Sequence, residues 1–143
     1  MKEKIFRKYL EIRPLDEFKE IARPSESHSV ELLNPKDFQL NKFFYKNIGK
    51  NYQWTDRLIW TDQNWISYIS NKKLSTYILK DKNAIMGYFE LIFHHEKKET
   101  EIAYFGILEE YFGKKLGGYL LSEAISISFS IGALRVWVHT CSL

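Results

Sequence analysis

Residues 101–118 read EIAYFGILEEYFGKKLGG, and the chain runs on as YLLSEAISISFSIG to Gly132. The first seven positions are an apolar strand opened by Glu101. A short acidic turn follows, then a loop carrying Gly113, Gly117 and Gly118 around the paired Lys114 and Lys115, then a helical pattern. A strand feeding a glycine-rich turn at a helix start is suited to an anion. The first-turn amides have no helical partner, the helix dipole is positive there, and glycine lets the backbone approach a phosphate. Two familiar phosphate loops are excluded. Tyr119 follows Gly118 where a Walker loop needs Lys-Ser/Thr, and the spacing does not fit G-x-G-x-x-G.

Outward from this stretch the hydrophobic period decides the elements. In helix 114–131, Leu116, Leu120, Ala124, Ile127 and Ile131 recur at helical spacing, widened by Leu121, Ile125 and Phe129, which predicts packing against a sheet. Gly132 ends it, and ALRVWVHT forms a strand buried through Leu134, Val136 and Val138. Upstream, LSTYILK and AIMGYFELIFHH alternate with period two about the turn at Asp81–Asn83. Residues 5–12 and 30–33 read as short strands, and 15–24 as a short helical turn before Pro24. Asn34-Pro35 predicts a helix start, with Leu40, Phe43, Phe44 and Ile48 on its buried stripe and Gly49 at its end. A second helix starts near Thr61-Asp62, buries Trp65, Ile66 and Ile69, and stops at Asn71. The succession predicts one α+β domain over 1–143. Its sheet is mixed but mostly antiparallel, with helices on both faces and a crossover helix joining two parallel strands.

Composition narrows the class. The chain has 143 residues, 45% apolar and 27% charged, with a net charge of +3 and a pI near 8.8. That suits an anionic ligand but is too weak for nucleic acid. One cysteine excludes an internal disulfide framework, and no run is long and apolar enough for a signal peptide or membrane helix, so a cytoplasmic location is expected.

The 101–118 loop and its flanks resemble the acyl-CoA loop of the GNAT superfamily of N-acetyltransferases. Its usual form is a strand ending V-x-P-x-x, then [RQ]-x-x-G-x-[GA], then a helix. Here Ile107 stands at the Val, Glu109 at the Pro, Phe112 at the Arg/Gln, Lys115 at the first Gly and Gly117 at the second. EIAYFGI is similar to the acid-initiated strand of histone-type members, and LGGYLL to the usual helix opening. An unassigned subgroup has a similar YLE start, a W-x-D-R-L-x-W segment and a V-W-V-H-T-C ending. The resemblance implies an acetyl-CoA-dependent transfer to a primary amine on a small molecule or peptide. It implies that Phe105, Gly106 and Ile107 hold the pantetheine arm and thioester oxygen through their backbone. Gly113, Lys114, Lys115, Leu116, Gly117 and Gly118 would cradle the pyrophosphate, and Trp54, Arg57 and Trp60 would lie in the acceptor lid. It also implies that Glu101 is the general base, since an alkylammonium must lose a proton before it attacks. Its competing reading is a hairpin-end charge facing water.

Glu90 is the rival base, because a carboxylate inside an apolar strand needs a partner or a cleft. Gly106 either admits a ligand closely or fills a packing gap. Trp54, Arg57 and Trp60 either grip an acceptor or pin two helices together. No metal is expected: adjacent His94 and His95 point to opposite faces, and no ligand spacing accompanies them. His139 and Cys141 share a strand face but lack the setting of a Cys–His nucleophile. Family members continue with a further helix and strand, whose Asn and Tyr assist the cofactor and the leaving thiolate. Compared with them the chain is C-terminally truncated. The expectation is therefore an open sheet edge beside the last strand, covered in a homodimer by a second copy. Otherwise the chain is a non-catalytic acyl-CoA-binding domain or a partner-completed subunit.

Overall fold

The structure, a computed structural model, describes the backbone of residues 6–13 and 19–142 and the side chains of 11–13 and 19–138. Six strands form one mixed sheet in the order β1-β6-β5-β4-β3-β2. They are β1 (Phe6–Ile12), β2 (His28–Leu32), β3 (Leu74–Asp81), β4 (Ala84–His94), β5 (Glu99–Ile107) and β6 (Arg135–Ser142). Every pairing is antiparallel except β5 with β6, which the helix α3 (Leu116–Ser130) connects as a parallel crossover. Helices α1 (Phe38–Gly49) and α2 (Asp62–Ile69) cover one face and α3 the other.

Strand alternation builds the two layers. On β4, Tyr88 packs with Phe44 and Ile48 of α1, while the next residue, Phe89, packs with Leu116, Leu120 and Ala124 of α3. Gly106 exists because of this layering. A Cβ there would lie 2.4 Å from Cγ2 of Ile48, so α1 sits directly on β5 at that point.

Several expectations need correction. The Asn34–Pro35 peptide is cis and lies ahead of the helix; α1 starts at Phe38, capped by the Asp37 carboxylate, which accepts from the Gln39 amide at 3.0 Å. Phe43 is largely exposed and Asn41 is buried in its stead, because Asn41 has a polar partner beneath the helix. Ile66, Leu121, Ile131 and Leu134 are also more exposed than their apolar character implies. Helix α3 starts two residues later than expected, and residues 19–24 carry no helix; 14–18 lie outside the described residues.

The expected bare edge beside the last strand is filled. β1 pairs with β6 over seven positions, from Phe6↔Ser142 to Ile12↔Val136, so the edge strand on that side is β1 rather than the last strand. From β1 the chain must reach β2 at the far edge, and it passes along α3 on the way. The Ile21 amide donates to Ser122 Oγ at 2.8 Å, and Ser126 donates to Glu20 at 3.1 Å.

Candidate active site

β5 and β6 are paired only from Glu99↔Arg135 to Ile102↔Val138. Beyond that point they part, and among the described residues no strand pairs with 103–107 of β5 on that side. A bulge marks the place: Glu90 pairs with Tyr104 but Leu91 with Ile102, leaving Ala103 extra. Farther on, the Leu108 amide donates to the Met86 carbonyl at 2.8 Å. Antiparallel alternation then turns the Phe105 and Ile107 amides to the opposite edge of β5, into the gap left by β6.

A 3₁₀ turn (Glu109–Tyr111) carries the chain from this gap to the loop before α3. Lys115 takes the N-cap position with φ +60° and offers no side-chain cap, so the first-turn amides of α3 remain available to a ligand. A Cβ on Gly113 or Gly117 would meet nothing within 4 Å, so the loop is open there. Gly118 differs: Ile21 Cδ1 lies 3.0 Å from where its Cβ would be, so its small size serves packing. Lys114 Nζ lies 5.8 Å from the Tyr111 ring centroid, and Phe112 is exposed.

The acid residues have very different settings. Glu90 is fully buried under α1 and α2. Its carboxylate accepts from Tyr68 Oη at 2.6 Å, Asn41 Nδ2 at 2.8 Å and Arg57 Nη1 at 3.3 Å. Arg57 is itself buried, its guanidinium carbon 4.1 Å from the ring centroids of both Tyr68 and Tyr104 and 4.7 Å from that of Trp60. Burial opposes the charge on Arg57, but Glu90 and the Tyr68 phenol outweigh it and hold the guanidinium more firmly protonated than usual. Burial, reinforced by the Glu90 charge, pushes the Tyr68 phenol well above the ordinary tyrosine range. Burial also pushes Tyr104 up to about 12, against the opposing pull of Arg57. Trp54 packs edge-on to Tyr104 at 4.7 Å, and Trp60 edge-on to Trp65 at 4.9 Å. The three acceptor-lid candidates thus belong to one aromatic cluster whose charge is already paired.

Glu101 stands on the same sheet face but outside that cluster, one position before β5 and β6 part. It is partly exposed and lies 3.1 Å from Nε2 of His94. The His94 ring is near-parallel to Trp137 of β6, with centroids 6.2 Å apart. Sequence reasoning weighed His94 only as a metal ligand. The hairpin register would have found its true neighbour, since Ile92↔Glu101 puts His94 diagonally within reach. No group of three or more potential metal ligands exists among the described residues, and the side chains of His139 and Cys141 lie outside them.

The acetyltransferase (GNAT) family model matches residues 31–142. The chain belongs to the GNAT acetyltransferase family. Solved structures carry the same fold at low identity. A GCN5-related N-acetyltransferase from Sphaerobacter thermophilus superposes with TM-score 0.72 at 14% identity, over 96% of this chain and 42% of that one. An aminoglycoside acetyltransferase from an uncultured soil metagenomic sample gives 0.66 at 11%, over 82% and 80%. The dodecameric spermidine N-acetyltransferase of Vibrio cholerae gives 0.56 at 18%, over 75% and 65%. No curated protein matches the chain in sequence. Among the described residues, no helix of this GNAT domain is long and apolar enough to cross a membrane.

Proposed function

We propose that the chain binds acetyl-CoA in the gap between β5 and β6 and transfers its acetyl group to a primary amine. The observation that carries this reading is the conjunction of two free backbone surfaces. The Phe105–Ile107 edge of β5 faces the gap, and the uncapped first turn of α3 follows nine residues later. The residues fit the ligand: Gly113 and Gly117 leave room for a diphosphate, and Lys114 and Lys115 bring positive charge to it. Lys115 replaces a family glycine, and its side chain adds an ammonium where a backbone could otherwise come closer.

When bound, the thioester supplies the electrophilic acyl carbon. The chain's own residues then have two tasks. The Ile107 amide, rigid in the sheet and facing the gap, donates to the developing oxyanion. Glu101 removes the ammonium proton through a water, so that the neutral nitrogen attacks the acyl carbon; the oxyanion then collapses, the C–S bond breaks, and the leaving CoA thiolate takes the second nitrogen proton. Glu90 is poorly suited to that work, because its oxygens are already engaged by Arg57, Tyr68 and Asn41. It anchors the α1–α2 layer instead.

Titration calorimetry with CoA tests the binding: heat in the micromolar range supports it, and none at high micromolar CoA ends it. Thiol release from acetyl-CoA then tests transfer, with a panel of spermidine, an aminoglycoside and a peptide bearing an N-terminal alanine. Glu101→Gln is expected to lower turnover by about 10²-fold or more with CoA affinity nearly unchanged.

A further inference from the structure

We infer that His94 is the positioning residue and proton outlet of Glu101, and that the two work as one acid–base unit. The inference rests on the reading of Glu101 as base. It starts from a line of three side chains across adjacent strands: His94 on β4, Glu101 on β5 and Trp137 on β6. His94 Nε2 lies 3.1 Å from Glu101 Oε1, the His94 ring is near-parallel to that of Trp137, and Trp137 is the register partner of Glu101. The line lies at the last paired positions before β5 and β6 part.

The neighbouring charges among the described residues are engaged with one another. Glu99 is the register partner of His94, but it is bound by Arg135 at 3.2 Å. Glu11, across on β1, is held by the same guanidinium through Arg135 Nε. Among the described residues, the charged groups facing His94 from β5, β6 and β1 are Glu101, Glu99, Arg135 and Glu11, and Arg135 bridges Glu99 and Glu11. Arg13, just past the end of β1, is drawn to Glu11 as well.

The proton accounting explains what His94 contributes. Each turnover takes one proton from the acceptor ammonium to Glu101, and the carboxylate must be cleared before the next. In its Nδ1–H tautomer His94 accepts that proton at Nε2 and releases the Nδ1 proton to water, which its 39% side-chain exposure permits. Proton exchange with water returns the ring to the starting tautomer before the next turnover. Glu101 is less exposed, at 27%, and its bond to His94 also fixes which oxygen faces the acceptor. A mere surface ion pair would contribute little to either stability or rate.

The experiment uses the full chain, acetyl-CoA and the same amine panel, with His94→Ala, Glu101→Gln and the double variant. His94→Ala is expected to bind CoA like the native chain and to lose at least about tenfold in kcat with the acetyl-CoA KM unchanged. Added imidazole is expected to restore much of that loss when Glu101 is present and none of it in the double variant. The double variant is expected to be no slower than Glu101→Gln alone. Turnover of His94→Ala within twofold of native overturns the inference, and so does a loss that imidazole leaves untouched. Thiol release by the native chain from no member of the panel removes the transfer reading itself, a failure distinguishable from either of these.

Discussion

Replacing Arg57 decides whether the aromatic cluster is frame or acceptor site. Glu90 has no exposed surface, and its three donors come from α1, α2 and the segment between them. Arg57→Met removes the only cation among those three donors and leaves a buried carboxylate with two neutral ones. One-sided removal of a buried ion pair costs about 3–5 kcal/mol. The guanidinium also lies over Tyr68 and Tyr104 at 4.1 Å, a further contribution of about 1 kcal/mol each that overlaps with the first. We expect about 4 kcal/mol in total, a large share of the roughly 5–15 kcal/mol that holds an ordinary domain together. The double variant Arg57→Met/Glu90→Leu strands no charge and leaves only the Tyr68 hydroxyl and the Asn41 amide to find water. It should therefore cost only about 2 kcal/mol. The coupling between the two sites is then at least about 2 kcal/mol. Equilibrium urea unfolding at neutral pH on the native chain, both single variants and the double variant measures it. If Arg57→Met stays within about 1 kcal/mol of native, or the two changes add within about 0.5 kcal/mol, the pair is not holding the layer. Arg57 would then be free to serve an acceptor, and its loss should appear in the acceptor KM alone.

Three further expectations follow from local geometry. Gly106→Ala forces a methyl into Ile48 at 2.4 Å, which should cost about 1–3 kcal/mol and lower the melting temperature by about 3–10 °C; a melting curve within 1 °C of native contradicts the close α1 contact. Lys115→Gly relieves a left-handed residue and removes a cation from the positive end of α3, so thermal unfolding should show a gain of about 1 kcal/mol despite the added chain entropy. The raised Tyr104 phenol makes the folded chain hold a proton that the unfolded chain releases above pH 10. Its contribution is full below pH 10 and is lost as pH rises to about 12, so stability should fall with pH in that window, and Tyr104→Phe should flatten the slope in denaturant titrations.

The parts of the fold that a reader of the sequence recovers are those set by neighbours along the chain. The β3–β4–β5 meander and the α3 crossover follow from period and turn residues, because each such element answers to its own pattern. The errors have the opposite origin. Asn34-Pro35 imitates a helix start, while the capping geometry belongs to Asp37 three residues later. Asn41 is buried in place of the apolar Phe43 because Glu90, 49 residues away, needs its amide. Arg57 meets Glu90 across 33 residues through a segment with no periodicity at all. Hydrophobic pattern alone cannot register such partners, since a polar residue reads as surface until its partner is known.

The placement of β1 was the least legible feature, and it bears most directly on the gap. A strand's sequence states its faces but not its neighbours, and Glu11 meets Arg135 across 124 residues. Once β6 leaves β5 at Val138, its backbone needs another partner or it would be drawn back into the ladder. β1 supplies one along the whole departing stretch, from Leu10↔Val138 to Phe6↔Ser142. The opening that exposes the Phe105 and Ile107 amides is thus held by pairing on the far side of β6. Loosening β1 should zip β6 toward β5 and close the gap before it unfolds the sheet. Proline at Tyr9, whose partner on β6 is His139, removes any amide donated there and tests this, because CoA affinity should then fall by more than urea stability does. An equal loss of both would mean that β1 supports the sheet as a whole and has no particular hold on the gap.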